Sequence, residues 1–289
     1  MNILITGVTG TLGSALVKKI LLESHHDIIG ISRDEQKQRL LPKHPRLKLR
    51  LADVRDMDAL YRTVPEADLI FHLAALKCVD TIEENPFESV KTTVLGTQNI
   101  VDLANTLGAR VCFTSTDKAA HPINAYGQCK ALAEKLVLDG SPKNVVVRYG
   151  NVLGSRGSIL SSLIKSLTTE GKAYVTDADM TRFWMPIDVV VGFVHEVAFS
   201  PIMSGLVTPK DIKAAYVVDL IKSVAQILGI LNYKTEIIGI RPGEKISETL
   251  LAPHEAEDGR AITSDDNPLR MTEQELYNML APIVEEIIK

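Results

Sequence analysis

Four ionisable side chains whose types suit proton transfer fall close together in the chain: Asp117, Lys118, Tyr126 and Lys130. Tyr126 and Lys130 stand one helical turn apart, so a phenol and an ammonium share one face. A neighbouring ammonium favours the phenolate, which lets such a tyrosine take the proton of a hydroxyl. Asp117 and Lys118 come just before, in Ser115-Thr116-Asp117-Lys118. On an extended segment successive side chains point to opposite sides, so this acid and amine are expected to flank one substrate. Taken alone, Tyr-x-x-x-Lys marks many surface helices and Asp-Lys many turns. Their weight comes from the elements around them.

The first half alternates short apolar runs with longer amphipathic stretches, the rhythm of parallel strands joined by crossover helices. Strands are predicted at Asn2–Thr6, Asp27–Ile31, Leu47–Leu51, Asp68–Leu73, Arg110–Thr114 and Asn144–Arg148. Helices are predicted to begin near Thr11, Arg33, Asp56, Pro86 and Ala125. Runs such as Val145-Val146-Val147 read as strands buried on both faces. Asp117 and Lys118 then lie where the fifth strand gives way to a loop, and Tyr126 opens the following helix.

After Tyr149 the rhythm loosens. Gly150–Gly157 reads as a glycine-rich loop and Ser158–Leu167 as a helix, with strands, loops and helices mixed beyond. Thr272-Glu273-Gln274-Glu275 fits a capping box, followed by an apolar stripe of Leu276, Leu280, Ile283 and Ile287. The fold class expected is α/β, a Rossmann-type doubly wound parallel sheet with a smaller C-terminal substrate-binding lobe. Residues 1–150 would form the dinucleotide-binding domain, with segments returning from the second half, and 151–289 mostly the lobe.

Thr6-Gly7-Val8-Thr9-Gly10-Thr11-Leu12-Gly13 follows the first strand and opens the first helix. Gly7 permits the tight turn, Gly10 lets a pyrophosphate reach backbone N–H groups, and Gly13 lets helix and strand pack closely. Thr9, Thr11 and Leu12 share that loop, so all six are candidate dinucleotide contacts. The end of the second strand separates NAD from NADP, because an acid there holds a ribose 2′-hydroxyl and repels a 2′-phosphate. This chain has Ser32-Arg33, a hydroxyl and a guanidinium that suit phosphate, with Asp34 beside them. The balance favours NADP over NAD. Asp53 and Val54 after the third strand are expected at the adenine. Ala74, Ala75 and Lys77 after the fourth are expected where the cofactor passes, and Tyr126 and Lys130 at its nicotinamide end.

A net charge of −4 argues against general nucleic-acid binding. No apolar run approaches the ~18–20 residues of a membrane span, and no signal peptide is visible. The three scattered cysteines argue against a disulfide framework and against a Cys-based metal site, and the seven histidines form no pair at helical ligand spacing. No metal is expected, and a reducing cytoplasm fits.

Longer motifs narrow the reading. Glycine fingerprint, fifth strand and Tyr-x-x-x-Lys together resemble the extended short-chain dehydrogenase/reductase family. Ser115–Lys130, Arg148–Ser158, Met180-Thr181-Arg182-Phe183-Trp184 and Arg241-Pro242-Gly243-Glu244-Lys245 are similar, in order along the chain, to the inverting UDP-N-acetylglucosamine 4,6-dehydratases of bacterial surface-sugar biosynthesis. The resemblance implies that Tyr126 deprotonates the 4-hydroxyl while hydride leaves C4. Lys118 would then remove the C5 proton, Asp117 would protonate the departing 6-oxygen, and hydride would return to C6 with inversion at C5. Thr116 would hydrogen-bond the 4-oxygen. Lys77 would lie near the sugar, and Asn151, Arg156, Arg182, Arg241 and Glu244 near uridine and diphosphate.

Tyr126, where membrane-anchored relatives of the retaining type carry methionine, implies the soluble branch. The same resemblance implies a homo-oligomer, a dimer or larger ring, paired through the helices after the fourth and fifth strands. Thr93 stands where the family usually has an asparagine that organises the active-site helix and a water. The alternative on this scaffold is a nucleotide-sugar 4-epimerase or 4-reductase, which needs the tyrosine and lysine but no Asp-Lys pair. A further alternative is a non-catalytic NADP-sensing protein.

Overall fold

The computed structural model describes Met1–Lys289. The chain begins with β1 (Asn2–Thr6), α1 (Thr11–Glu23), β2 (Asp27–Ser32), α2 (Glu35–Gln38), β3 (Leu47–Leu51), α3 (Met57–Thr63) and β4 (Leu69–His72). It continues through α4 (Val79–Glu84), α5 (Pro86–Ser89), a π-helical stretch at Val90–Leu95, α6 (Gly96–Leu107) and β5 (Arg110–Thr116). A 3-10 turn (Asp117–Ala119), α7 (Ala125–Gly140) and β6 (Val145–Tyr149) complete the first run.

The six expected strands are present, within two residues of their expected ends. The helix starts expected near Arg33 and Asp56 shift because an aspartate at or beside each acts as a cap. Asp34 and Asp56 stay extended, and their carboxylates accept the backbone N–H of Lys37 and Ala59, so α2 and α3 begin at Glu35 and Met57. The helix α4 and the π-helical stretch have no counterpart in the sequence expectation.

The chain next forms β7 (Asn151–Leu153), α8 (Ile159–Glu170), β8 (Lys172–Val175), β9 (Thr181–Pro186), α9 (Ile187–Phe199) and β10 (Gly205–Val207). Strand β10 returns to pair in parallel with β6, giving a seven-stranded sheet of order β10-β6-β5-β4-β1-β2-β3. The order reverses between β1 and β4, where Thr6 lies opposite His72. In open α/β sheets a ligand crevice forms at that reversal, beyond the carboxyl ends of the strands.

The remainder comprises β11 (Lys213–Tyr216), α10 (Val217–Ile227), β12 (Lys234–Ile237), β13 (Thr249–Leu251), β14 (Ile262–Thr263) and α11 (Glu273–Ile288). Two compact units result: Met1–Arg148 with Val191–Thr208, and Tyr149–Val190 with Pro209–Lys289. In the first, Leu4, Ile70, Val111, Phe113 and Val146 of the sheet bury against Leu60, Ile100, Leu103 and Val137 of the helices. In the second, Leu160 and Leu163 of α8, Leu220 and Val224 of α10, and Leu276, Leu280 and Val284 of α11 share a core.

The capping box at Thr272–Glu275 forms as expected, but the apolar stripe after it shifts. Val284 joins the core, and Ile287, on the same face but in the last turn of the helix, is exposed. The expected glycine loop at 150–157 also differs, since β7 interrupts it and pairs with β9. Gly150 serves that strand contact: a Cβ there would lie 2.4 Å from the Phe183 Cβ.

Candidate functional site

A cavity of about 780 Å³ opens at the carboxyl ends of β1 to β4. Among the expected cofactor residues, Gly7, Thr9, Gly10, Ser32, Arg33, Asp53, Val54, Ala74 and Ala75 line it. Gly7 has φ +65°, and a Cβ there would meet the Ala74 backbone at 3.0 Å. Glycine is therefore required both by conformation and by close approach. The Gly10 N–H donates to the Gly7 carbonyl at 2.8 Å, closing the turn.

Thr11, Leu12, Gly13, Lys77, Tyr126 and Lys130 are not among the cavity's walls. Gly13 packs instead: its Cβ would stand 2.6 Å from the Gly7 oxygen and 2.8 Å from the Val8 Cα. Lys37, Gln36 and Thr92, which the sequence did not single out, also line the cavity.

The charges at its rim are internally engaged. Asp53 Oδ2 lies 2.7 Å from Arg55 Nη2 and 3.6 Å from Arg33 Nη1. Partial burial raises the Asp53 pKa, but hydrogen bonds from Arg55 and the charges of Arg55 and Arg33 outweigh it and leave the carboxyl below its ordinary value. Asp34 is spent on its cap, accepting Lys37 N at 2.9 Å and Lys37 Nζ at 2.6 Å.

Beneath the cavity a buried hydrogen-bond chain fixes the loops after β1 and β4. Thr6 Oγ1 accepts the N–H groups of Leu73 and Ala74, each at 3.1 Å, and lies 2.8 Å from His72 Nδ1. His72 Nε2 lies 3.0 Å from Thr97 Oγ1, which donates to the Thr93 carbonyl. Burial, aided by the charge of Lys130, lowers the His72 pKa to about 3, so the ring is neutral. Thr97 spends its proton on Thr93, so His72 Nε2 carries the ring proton and Nδ1 accepts from Thr6. Thr93 is fully buried in the π-helical stretch, and its hydroxyl oxygen has no hydrogen-bond partner.

The reaction residues gather at the end of β5. Thr116 caps the 3-10 turn, its Oγ1 accepting the Lys118 N–H at 3.4 Å and donating to Asp117 Oδ1 at 2.9 Å. The expected extended placement of Asp117 and Lys118 on opposite sides is thus corrected. The turn folds them together, and Lys118 Nζ donates to Asp117 Oδ1 at 3.0 Å. A threonine hydroxyl offers the backbone this local alternative to continued strand.

Helix α7 packs directly on that turn. Asn124 caps it, accepting the Gly127 N–H at 2.7 Å. A Cβ on Gly127 would lie 2.3 Å from the Lys118 carbonyl oxygen, so only glycine lets the two backbones approach this closely. Gly127 follows Tyr126, which therefore sits at the edge of the Asp117–Lys118 turn. Asn124→Ala removes the cap and is expected to cost about 1 kcal/mol in urea unfolding.

Lys130 is buried, donates to the Thr114 carbonyl at 2.7 Å, and lies 4.4 Å from the Phe113 ring centre. Burial lowers its pKa to about 8, with the charge of Glu134 acting in the opposite direction. Between that value and the ordinary lysine range the unfolded chain still binds a proton that the folded chain has released. Stability from this site therefore rises with pH above about 8. Lys130→Met should abolish that rise in unfolding experiments run at stepped pH.

Sequence reasoning missed Glu134, which stands one turn beyond Lys130. Ser115 Oγ donates to it, and Arg148 binds it through Nε at 3.0 Å and Nη2 at 2.5 Å. This buried pair ties β5, α7 and β6 together. Its available signal was the continued four-residue spacing after Tyr126 and Lys130. Removing one partner strands a buried charge, so Glu134→Ala should lose about 3–5 kcal/mol in a denaturant titration.

In the second unit, Arg182 on β9 is buried and directs its guanidinium to the chain itself. It donates to the carbonyls of Thr181 at 2.7 Å, Lys245 at 2.8 Å and Ile246 at 3.0 Å. Expected near uridine and diphosphate, it braces through these bonds the segment that follows Arg241. Arg241 hydrogen-bonds the Glu244 carboxylate and is half-exposed. Partial burial raises the Glu244 pKa, but Arg241 outweighs it and holds the carboxyl below its ordinary value. Asn151 opens β7, Arg156 is exposed on the following loop, and Lys77 of the first unit is exposed after β4.

No helix is long and apolar enough to cross a membrane. Residues 3–265 match the family model described as polysaccharide biosynthesis protein. The chain is 36% identical to a UDP-N-acetylglucosamine 4,6-dehydratase (inverting) of Campylobacter jejuni, covering all of this chain and 85% of the relative. It is likewise 36% identical to a UDP-glucose 4-epimerase of Rickettsia akari, over 87% of this chain and 77% of that one. Among solved structures it is similar to Pen from Bacillus thuringiensis, with TM-score 0.89 and 29% identity over 99% and 98% of the two chains. A glycine-cradled crevice at the sheet's reversal, a Tyr-x-x-x-Lys helix, and relatives that act on nucleotide sugars agree. The chain belongs to the polysaccharide biosynthesis protein family, a nucleotide-sugar-modifying branch of the extended short-chain dehydrogenases/reductases.

Proposed function

We propose that this chain catalyses NADP-dependent 4,6-dehydration of UDP-N-acetylglucosamine with inversion at C5, yielding a UDP-4-keto-6-deoxy-hexosamine for surface-glycan synthesis. The observation that carries the reading is the Asp117–Lys118 pair, held in a capped turn against Gly127 beside Tyr126. A 4-epimerase or 4-reductase needs Tyr126 and Lys130 but gives this pair no task.

The cavity fits a dinucleotide, since Gly7 and Gly10 present bare backbone at its wall and Ser32, Arg33 and Lys37 supply a hydroxyl and cations for a 2′-phosphate. When bound, the nicotinamide supplies a hydride acceptor for C4 and the hydride later returned at C6. Tyr126 takes the 4-hydroxyl proton, with the Lys130 charge favouring its phenolate, and once Asp117 is protonated the Thr116 hydroxyl turns its proton from Asp117 to the 4-oxygen. The resulting 4-ketone acidifies the C5 hydrogen. Proton transfer across the 3.0 Å contact from Lys118 Nζ to Asp117 converts the ion pair into a neutral amine and a neutral acid. Those are the forms a C5 base and a 6-oxygen acid require. Elimination returns that proton count: Lys118 gains the C5 proton, Asp117 gives its own to the departing oxygen, and water leaves.

In this reading Arg241, Arg156 and Asn151 serve the nucleotide, Glu244 orients Arg241, and Arg182 acts by bracing the segment after Arg241. Lys77 serves the sugar. The protein works as a cytoplasmic homo-oligomer, and the half-exposed Leu132 and Leu138 on α7 suit the expected pairing of helices. The second reading, a 4-epimerase, is favoured by the R. akari relative's equal identity. Incubation with UDP-N-acetylglucosamine and no added coenzyme separates them by mass spectrometry. Loss of one water supports dehydration, and an isomer of unchanged mass overturns it.

A further inference from the structure

We infer that Gln38 is a positioning residue that sets the preference for a 2′-phosphorylated dinucleotide, by holding the Ser32 hydroxyl as a donor towards the cavity. The inference rests on the proposed NADP reading and assigns its selectivity to a residue outside the glycine loop and the strand end.

Gln38 closes the short helix α2 and is buried. Its Nε2 lies 2.8 Å from the Arg50 carbonyl, 3.2 Å from the Ser32 carbonyl and 3.0 Å from Ser32 Oγ. Two of these partners are backbone carbonyls, which only accept, so the amide's nitrogen end faces them. An amide nitrogen offers no acceptor, so Ser32 cannot donate to it. The hydroxyl is an acceptor on its Gln38 side, and its own proton is turned elsewhere. Ser32 lines the cavity between Ile31 and Arg33, with Lys37 on the same rim.

This asymmetry distinguishes the two dinucleotides. A ribose 2′-hydroxyl needs an acceptor for its proton, whereas a 2′-phosphate is acceptor-only and anionic. Gln38 fills one of the two acceptor positions of the Ser32 hydroxyl and leaves its proton as the donor, and a bond donated to an anionic phosphate is roughly twice as strong as one donated to a neutral hydroxyl. The neighbouring acid that could have served a 2′-hydroxyl, Asp34, is committed to the Lys37 N–H and ammonium. Ser32 held as a donor therefore favours the phosphate, while Asp34 is engaged away from a 2′-hydroxyl. Gln38 owes this reach to register: Ser32 pairs with Leu51 across β2 and β3, so Arg50 O and Ser32 O lie close enough for one amide to bridge.

The experiment is a double-mutant cycle on the full chain, with Kd for NADP and NAD measured by calorimetry. Wild type is expected to bind NADP more tightly. Gln38→Met, of similar length but without donors, should shrink the NADP-to-NAD preference roughly five- to tenfold, the scale of one hydrogen bond. The same change in a Ser32→Ala background should leave the ratio within about twofold, because Gln38 acts through that hydroxyl. A purely structural role would instead weaken both dinucleotides alike. If a melting scan shows Gln38→Met unfolded, Gln38→Asn replaces it. Its neutral amide, one methylene shorter, falls short of Ser32 Oγ and should shrink the preference in the same way. An unchanged ratio in the folded variant, or an equal loss in the Ser32→Ala background, overturns the Gln38 assignment while the NADP reading stands. A wild type that prefers NAD overturns both.

Discussion

Lys118→Ala is expected to lower turnover of UDP-N-acetylglucosamine by roughly 10²–10⁴-fold, the range of a positioned general base. The lysine is partly buried, and its ammonium is bound to a fully buried Asp117 carboxylate. Truncation removes the C5 base and also the proton donor that readies Asp117 as an acid. The dinucleotide cavity is lined by other residues, so NADP affinity should remain within about twofold of wild type. Lys118→Met, which keeps most of the aliphatic stem, should be equally inactive, separating loss of the amine from loss of packing. Single-turnover assays give the decisive pattern: oxidation at C4 persists while water loss stops. Near-normal turnover in either variant would remove Lys118 from the base role.

Gly127→Ala should be almost as damaging, through backbone position alone. The added methyl would lie 2.3 Å from the Lys118 carbonyl oxygen, closer than any relaxed contact. Either the turn carrying Asp117 and Lys118 or the start of α7 carrying Tyr126 must move, by something near an ångström. Displacement on that scale costs roughly 10²-fold in rate, and overpacking should cost about 1–3 kcal/mol in stability. The damage should appear in kcat, with cofactor affinity retained. An alanine variant with wild-type kcat would show that the spacing between the turn and Tyr126 does not govern the reaction.

The sheet was legible because its strands are buried apolar runs, and because Gly7, Gly10 and Gly13 punctuate β1 and α1 at a spacing with a physical reason. The Tyr126–Lys130 face was legible from helical periodicity. The turn at Asp117 was not. Its shape depends on one threonine hydroxyl choosing a local N–H over continued strand, a decision three residues long. Gln38, His72 and Glu134 stayed hidden because their partners are brought together by the sheet: His72 meets Thr6 from 66 positions away. Arg182 shows the same limit in reverse. Its motif pointed to the neighbourhood of uridine and diphosphate and gave no sign of the bonds its guanidinium makes to the carbonyls of Lys245 and Ile246. The π-helical stretch carrying Thr93 had no sequence signal, and neither did the unmet hydroxyl inside it.

The central claim is that the Asp117–Lys118 turn converts a shared oxidation chemistry into an elimination. An NMR time course in deuterated water tests it most directly, with UDP-N-acetylglucosamine and dTDP-glucose offered separately. The expected result is loss of one water, one deuteron at C5 and inverted C5 configuration, from the UDP sugar alone. A C4 epimer with no deuteron at C5, or unchanged substrate, would contradict it.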